Sequence, residues 1–258
     1  DGVTFRSHLD GSTHRFTPEH AMEIQHQLGA DIIMAFDQCS EPYDRETNEN
    51  AMARTHAWAE RCKAAHTRTN QALFGIVQGG VFSDLRADSA RFISALDLPG
   101  NAIGGLSVGE SKDELRAMTE LVTDILPAAK PRYLMGVGSP ADLVQAVARG
   151  VDMLDCVLPT RLARNAAAMT RAGQLNMKQA AYAVDQQPVE PGCSCYCCAN
   201  FSRAYIRHLC MAREILGATL LTMHNLQLLH GLMAEMRAAI LKGEFNAWQR
   251  EFSDNWGA

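Results

Sequence analysis

Asn101-Ala102-Ile103-Gly104-Gly105-Leu106 is a short run of small and apolar residues that breaks on paired glycines. Four other runs share its form: Asp31-Ile32-Ile33-Met34-Ala35-Phe36-Asp37, Phe74-Gly75-Ile76-Val77-Gln78-Gly79, Tyr133-Leu134-Met135-Gly136-Val137-Gly138 and Met153-Leu154-Asp155-Cys156-Val157-Leu158. Apolar runs of this length, bounded by glycine or polar residues, read as buried strands. Between them lie amphipathic stretches. Thr17-Pro18 ahead of Met22, Ile24 and Leu28, and Ser139-Pro140 ahead of Leu143, Val144 and Val147, each combine an N-cap, a first-turn proline and an apolar stripe. Leu115, Met118, Leu121, Val122 and Ile125 form another stripe at helical spacing. Alternating strands and helices predict an α/β fold with a parallel sheet and crossover helices. No glycine-rich dinucleotide loop follows a strand, and Asp37, Gln78, Gly105 and Asp155 fall at C-terminal strand ends. Both features favour a (β/α)8 TIM barrel over a doubly wound sheet. Thr219-Leu220-Leu221-Thr222-Met223 is a candidate for a sixth strand. Eight strands close such a barrel, so its leading strands are expected to be missing here.

The 258 residues are 47% hydrophobic and 21% charged, and 24 Lys+Arg against 29 Asp+Glu give a net charge of -5. These proportions exclude a disordered or collagen-like chain. No apolar run approaches the roughly 20 residues that a membrane-spanning helix needs. The opening Asp1-Gly2-Val3-Thr4-Phe5-Arg6 has neither an initiator Met nor an apolar signal stretch, so a cytoplasmic protein and a piece of a longer chain are expected. The acidic balance does not advertise a nucleic-acid partner, although a local basic strip can serve one.

Three constellations carry chemistry. Cys193, Cys195 and Cys198 lie on one short segment with His224 further on, the spacing of a closed, tetrahedral, structural Zn2+ site. Cys197 is the odd thiol, and His208 and His230 are alternative imidazoles. Asp37 and Gln78 together suit a heterocycle that displays donors on one edge and a carbonyl on another, such as a purine; singly, each would serve as a strand-end cap. The strip Pro159-Thr160-Arg161-Leu162-Ala163-Arg164-Asn165, just after Asp155, could clamp phosphates on either side of a reacting nucleotide, or form a solvated basic loop. Met135 alone reads as core.

These motifs, in this order, resemble tRNA-guanine transglycosylase of the queuosine pathway: Phe36-Asp37-Gln38-Cys39, Gly75-Ile76-Val77-Gln78-Gly79, Gly104-Gly105-Leu106-Ser107-Val108-Gly109-Glu110, Tyr133-Leu134-Met135-Gly136-Val137-Gly138, Asp155-Cys156-Val157-Leu158-Pro159-Thr160-Arg161 and the cysteine cluster. The resemblance implies exchange of the wobble guanine in tRNAs with GUN anticodons, those for aspartate, asparagine, histidine and tyrosine, for a 7-deazaguanine. Asp155 would be the nucleophile, forming a covalent enzyme–tRNA intermediate. Base recognition would fall to Asp37, Cys39, Gln78, Gly105 and Leu106, with Met135 against the face of the ring. RNA contacts would come from Gly136, Val137, Gly138, Ser139, Pro140, Ala141 and Asp142 and from Thr160, Arg161, Leu162, Ala163 and Arg164. Val108 and Cys39 resemble the bacterial form, whose incoming base is preQ1. The family also implies a homodimer and one structural Zn2+.

The family's second aspartate, in an Asp-Ser-Gly-Gly-aromatic motif, has no match here and is expected upstream; Ala166 stands where the family usually has Gly. The chain alone is accordingly expected to be weakly active or inactive. Residues 1–174 are expected to form the partial barrel with base pocket and nucleophile, and residues 175–258 a zinc-binding subdomain with C-terminal helices that complete the barrel. The competing readings are a non-catalytic tRNA-binding accessory subunit and a barrel hydrolase with a catalytic metal. The second would need His and carboxylate ligands at the strand ends, where few His residues fall.

Overall fold

The computed structural model describes residues 1–255 of the chain. Its contacts divide into two compact units, Asp1–Val137 with Gln145–Asp155, and Gly138–Val144 with Cys156–Ala258. In the second unit Ala168 is fully buried with Leu220 and Leu221 in that unit's own core.

The first unit begins with an antiparallel hairpin, β1 (Val3–Arg6) and β2 (Thr13–Phe16). Strands and helices then alternate along the chain: α1 (Pro18–Leu28), β3 (Ile32–Met34), α2 (Arg45–Ala65), β4 (Ala72–Val77), α3 (Ser83–Ala95), β5 (Gly100–Ile103), α4 (Lys112–Ile125), β6 (Arg132–Leu134), α5 (Pro140–Ala148), whose first residues to Val144 are grouped with the second unit, and β7 (Met153–Leu154). Strands β3 to β7 pair in parallel in the order in which they occur in the sequence, as a curled half-barrel. A doubly wound sheet would reverse its order at a switch point, and this one does not.

Local chemistry sets the ends of these elements. The Thr17 hydroxyl accepts the His20 N–H at 3.2 Å, Pro18 pre-sets the first turn, and Gly29 at φ 74° stops α1. Ser111 and Glu114 form a reciprocal capping box on α4. Between sheet and helices lies a core that includes Met22, Ile33, Leu73, Val77, Ile93, Ile103, Val122 and Leu134. Each of the larger side chains there contributes about 1.5–3 kcal/mol of burial. On the opposite face Phe74 lies directly over Gly100, where a Cβ would sit 2.2 Å from its ring.

The second unit contains α6 (Leu158–Arg164), an antiparallel hairpin of β8 (Ala167–Thr170) and β9 (Gly173–Asn176), and then α7 (Tyr196–Asn200), α8 (Arg203–Ala212), α9 (Ile215–Lys242) and α10 (Phe245–Asn255). Residues 219–223, the candidate sixth strand, lie inside α9. Their run of leucines and threonines looks strand-like in isolation. Leu220, Leu221, His224, Leu228, Leu232 and Met236 nonetheless fall on one helical face, and burial of that face decides the conformation. No helix among the described residues is long and apolar enough to cross a membrane.

Two glycines predict stability changes of opposite sign. Gly100→Ala must displace Phe74 in a filled core and should lower unfolding free energy by about 1–3 kcal/mol. Gly231→Ala, on α9 with open space around its Cβ position, should raise it by up to about 1 kcal/mol. Urea titration of each variant measures both.

Candidate active site and metal centre

Parallel strands end on one edge, so the segments that follow β3, β4, β5, β6 and β7 collect there, and the expected residues lie on them. Asp37 follows β3 and Gln78 follows β4. The Gln78 amide donates from Nε2 to Asp37 Oδ2 at 2.7 Å. Burial raises the Asp37 pKa above the ordinary carboxylate value, against the opposing effect of that bond. Its ionised form is therefore short of partners, and a ligand with two adjacent N–H groups would supply them. Gly105, at φ 61°, lies against Gln78: a Cβ there would be 2.2 Å from Gln78 Oε1. The exposed Cys39 has its thiol pushed up by burial of the group and by the Asp37 charge. Met135 is half-buried and continues the ladder by donating its N–H to Ile103 O at 3.1 Å.

Asp155 follows β7, and two donors grip it. The Tyr133 hydroxyl donates to Oδ1 at 2.7 Å, and the Gly136 backbone N–H donates to the same atom at 2.8 Å. Burial and the Asp155 carboxylate both raise the Tyr133 pKa, which keeps the phenol a donor. Among the described residues no hydrogen bond engages Oδ2. An exposed carboxylate with one oxygen held and the other open is arranged for attack on an electrophile. Sequence reasoning missed Tyr133, although it lies two residues before Met135 on the same strand face.

The segments expected to touch RNA are mixed. Val137 packs in the first core and Ala163 in the second, so only their backbones can meet a ligand. Ser139 Oγ donates to Asp142 Oδ2 at 2.6 Å and accepts the Asp142 N–H, an arrangement that caps the start of α5. Gly136, Ala141, Arg161 and Arg164 are exposed.

In the second unit, Cys193, Cys195, Cys198 and His224 bring their ligand atoms within 4.8 Å of one another. His224 Nδ1 lies 3.7, 3.6 and 3.4 Å from the three sulfurs. Tetrahedral geometry with ordinary Zn–S and Zn–N bonds requires edges of about 3.6 Å, so the cage fits an ion of that size. His224 Nε2 donates to Met169 O at 2.8 Å, which leaves Nδ1 as the lone-pair side. Of the alternatives, Cys197 packs into the second core, and neither His208 nor His230 belongs to the group. Burial pushes the Cys195 thiol up to about 12, so a bound cation must displace its proton. The next residue, Asn225, ties the same region together: it donates to Pro159 O and Ala167 O at 2.9 and 3.2 Å and accepts the Met169 N–H at 2.8 Å. The metal cage and the start of α6 thus share adjacent residues of α9.

The sequence matches the family model described as Queuine tRNA-ribosyltransferase over residues 1–258. It is 56% identical to the queuine tRNA-ribosyltransferase of Herpetosiphon aurantiacus, across 99% of this chain and 64% of that relative. It is also 56% identical to the protein of that name from Pelotomaculum thermopropionicum, across 98% and 68% respectively. For Synechococcus elongatus the figures are 54% identity, 95% and 64%. The chain therefore spans about two thirds of the length of these relatives.

The cage predicts one tightly bound Co2+ per chain on titration, with thiolate-to-metal absorption bands. Cys195→Ser and His224→Ala should each abolish the bands, and chelation of the ion should lower the melting temperature by more than about 5 °C. Bands that persist in both variants would contradict the assigned ligands.

Proposed function

The chain belongs to the queuine tRNA-ribosyltransferase family, and we propose that the protein exchanges the wobble guanine of GUN-anticodon tRNAs for preQ1 through a covalent bond to Asp155. The observation that carries this reading is the Asp155 carboxylate, held through Oδ1 by Tyr133 and Gly136, on the same sheet edge as the Asp37–Gln78 pair.

In this reading the target nucleotide leaves the anticodon-loop stack and its base lies between Asp37 and Gly105. Ionised Asp37 accepts from N1–H and the exocyclic amine, Gln78 and the Gly105 N–H donate on the O6 side, and the Leu106 carbonyl accepts from the aminomethyl group of preQ1. Met135 packs against the ring and Cys39 lines the pocket. Asp155 Oδ2 attacks C1′, the C1′–N9 bond breaks, and the electron pair departs with guanine. The N9 proton of preQ1 passes, in balance, to the expelled guanine anion, and preQ1 N9 attacks C1′ from the vacated face and displaces the carboxylate. Two inversions retain the configuration, the logic of a retaining glycosidase. Arg161 and Arg164, both exposed, meet backbone phosphates.

The cage of three thiolates and one imidazole favours Zn2+ as its resident ion, in a structural role: all four positions are filled by protein, so none is left for substrate. Action in the reducing cytosol, as a homodimer, completes the proposal. Eight free cysteines agree with such a compartment.

The full-length protein should incorporate labelled guanine into tRNA. Asp155→Asn should lower that rate by at least about a thousandfold while leaving tRNA affinity within about threefold. Retained exchange in this variant would overturn the proposal. The raised Asp37 pKa gives a second expectation. Protonation removes an acceptor, so guanine affinity should fall on acidification, beginning at a higher pH than for an ordinary aspartate. Asp37→Asn should flatten that profile, as a guanine titration at several pH values would show.

A further inference from the structure

Arg86 is fully buried, and it heads the largest side chains with that property. Its stripe on α3, with Ser89, Ala90 and Ile93, faces the core, where an aliphatic residue would ordinarily stand. The guanidinium instead donates to four backbone carbonyls: Nε to Gly80 O at 2.7 Å, Nη1 to Val77 O at 3.3 Å and to Gly104 O at 2.6 Å, and Nη2 to Gly105 O at 2.6 Å. Among the described residues no carboxylate bonds it. Burial lowers its pKa only to about 10, so it remains a cation at neutral pH.

A buried cation that no carboxylate bonds directly, with only the more distant charge of Glu110 to favour it, is costly, and packing alone does not require one. What these bonds fix is the orientation of two peptide planes. In a trans peptide the C=O and N–H point in opposite directions. The Gly104 and Gly105 carbonyls both converge on one guanidinium, so the N–H groups of Gly105 and Leu106 are both turned away from it. An extended residue between the two peptides would alternate them; Gly105 at φ 61° does not. A carbonyl that accepts from a cation also leaves the N–H of its own peptide a stronger donor. The same helix holds the other half of the recognition set, because Ser89 Oγ accepts the Gln78 N–H at 3.0 Å.

We infer that Arg86 is a positioning residue for base recognition: it acts through the Gly104–Gly105 and Gly105–Leu106 peptides, aiming and polarising the N–H that meets the base carbonyl. This role rests on the base-pocket reading above and names the residue that enforces it.

The test uses full-length protein with Arg86→Lys, which keeps the charge and most of the stem, and Arg86→Gln, which keeps donors without charge. A cooperative thermal melt qualifies each variant. Guanine exchange gives KM for the base and for tRNA separately, and competition compares guanine with 6-thioguanine, which keeps N1–H but offers a weak acceptor in place of O6. In the qualified variants, KM for guanine should rise about tenfold with KM for tRNA within twofold, and the wild-type preference for oxygen over sulfur should collapse toward unity. Lost packing alone would weaken both analogues alike. Folded variants that keep the wild-type preference overturn the role of Arg86 and leave the pocket reading intact. A wild-type protein that fails to bind guanine overturns the pocket reading, and this role with it.

Discussion

The Asp155 carboxylate needs donors that stay in place, and it has them in the Tyr133 hydroxyl and the Gly136 N–H, 2.7 and 2.8 Å from Oδ1. Both come from β6 and the turn that follows it, while Asp155 follows β7, so the grip exists only because the two strands are parallel neighbours in register. The register is in turn set by a core that places Leu134 and Ile103 against the helices. A slip of one residue in β6 would turn Tyr133 toward the helices and Leu134 toward the open face. The grip on the Asp155 carboxylate is therefore a property of the sheet.

The two aspartates at this edge occupy different environments. Asp155 is exposed with one oxygen held by two donors; Asp37 is largely enclosed, bonded by Gln78, with its pKa raised by burial. Environment separates the roles of chemically identical side chains, one suited to bonding carbon and the other to reading N–H groups. In the second unit the equivalent constraint is the pair His224 and Asn225. One side chain completes the four-ligand cage, and the other bonds the backbone at Pro159, Ala167 and Met169, where α6 begins.

Much of this was legible in the sequence because it depends on local spacing. Each of the five strand runs overlaps a strand of the sheet; Thr17 caps α1, and Pro140 begins α5. The cysteine spacing and His224 identified the ligand cage. What escaped depended on long-range packing. Residues 219–223 follow the buried face of a 28-residue helix, so their strand-like composition had no influence. The hairpin of β8 and β9 joins the core of the second unit through Ala168, a contact that nothing local announces. Tyr133 could have been found by strand parity with Met135. Arg86 left a subtler signal, a lone cation at a core position of a helical stripe, with nothing local to say which carbonyls would surround it.

The central claim is a covalent bond between Asp155 and a ribose carbon. Full-length protein mixed with substrate tRNA, quenched by denaturation before the second displacement, and digested with ribonuclease and trypsin tests it most directly. The account predicts a nucleotide-sized mass addition on the peptide spanning residues 150–161, localised by fragmentation to Asp155. An adduct on any other side chain, or exchange that proceeds with no adduct at all, would contradict it.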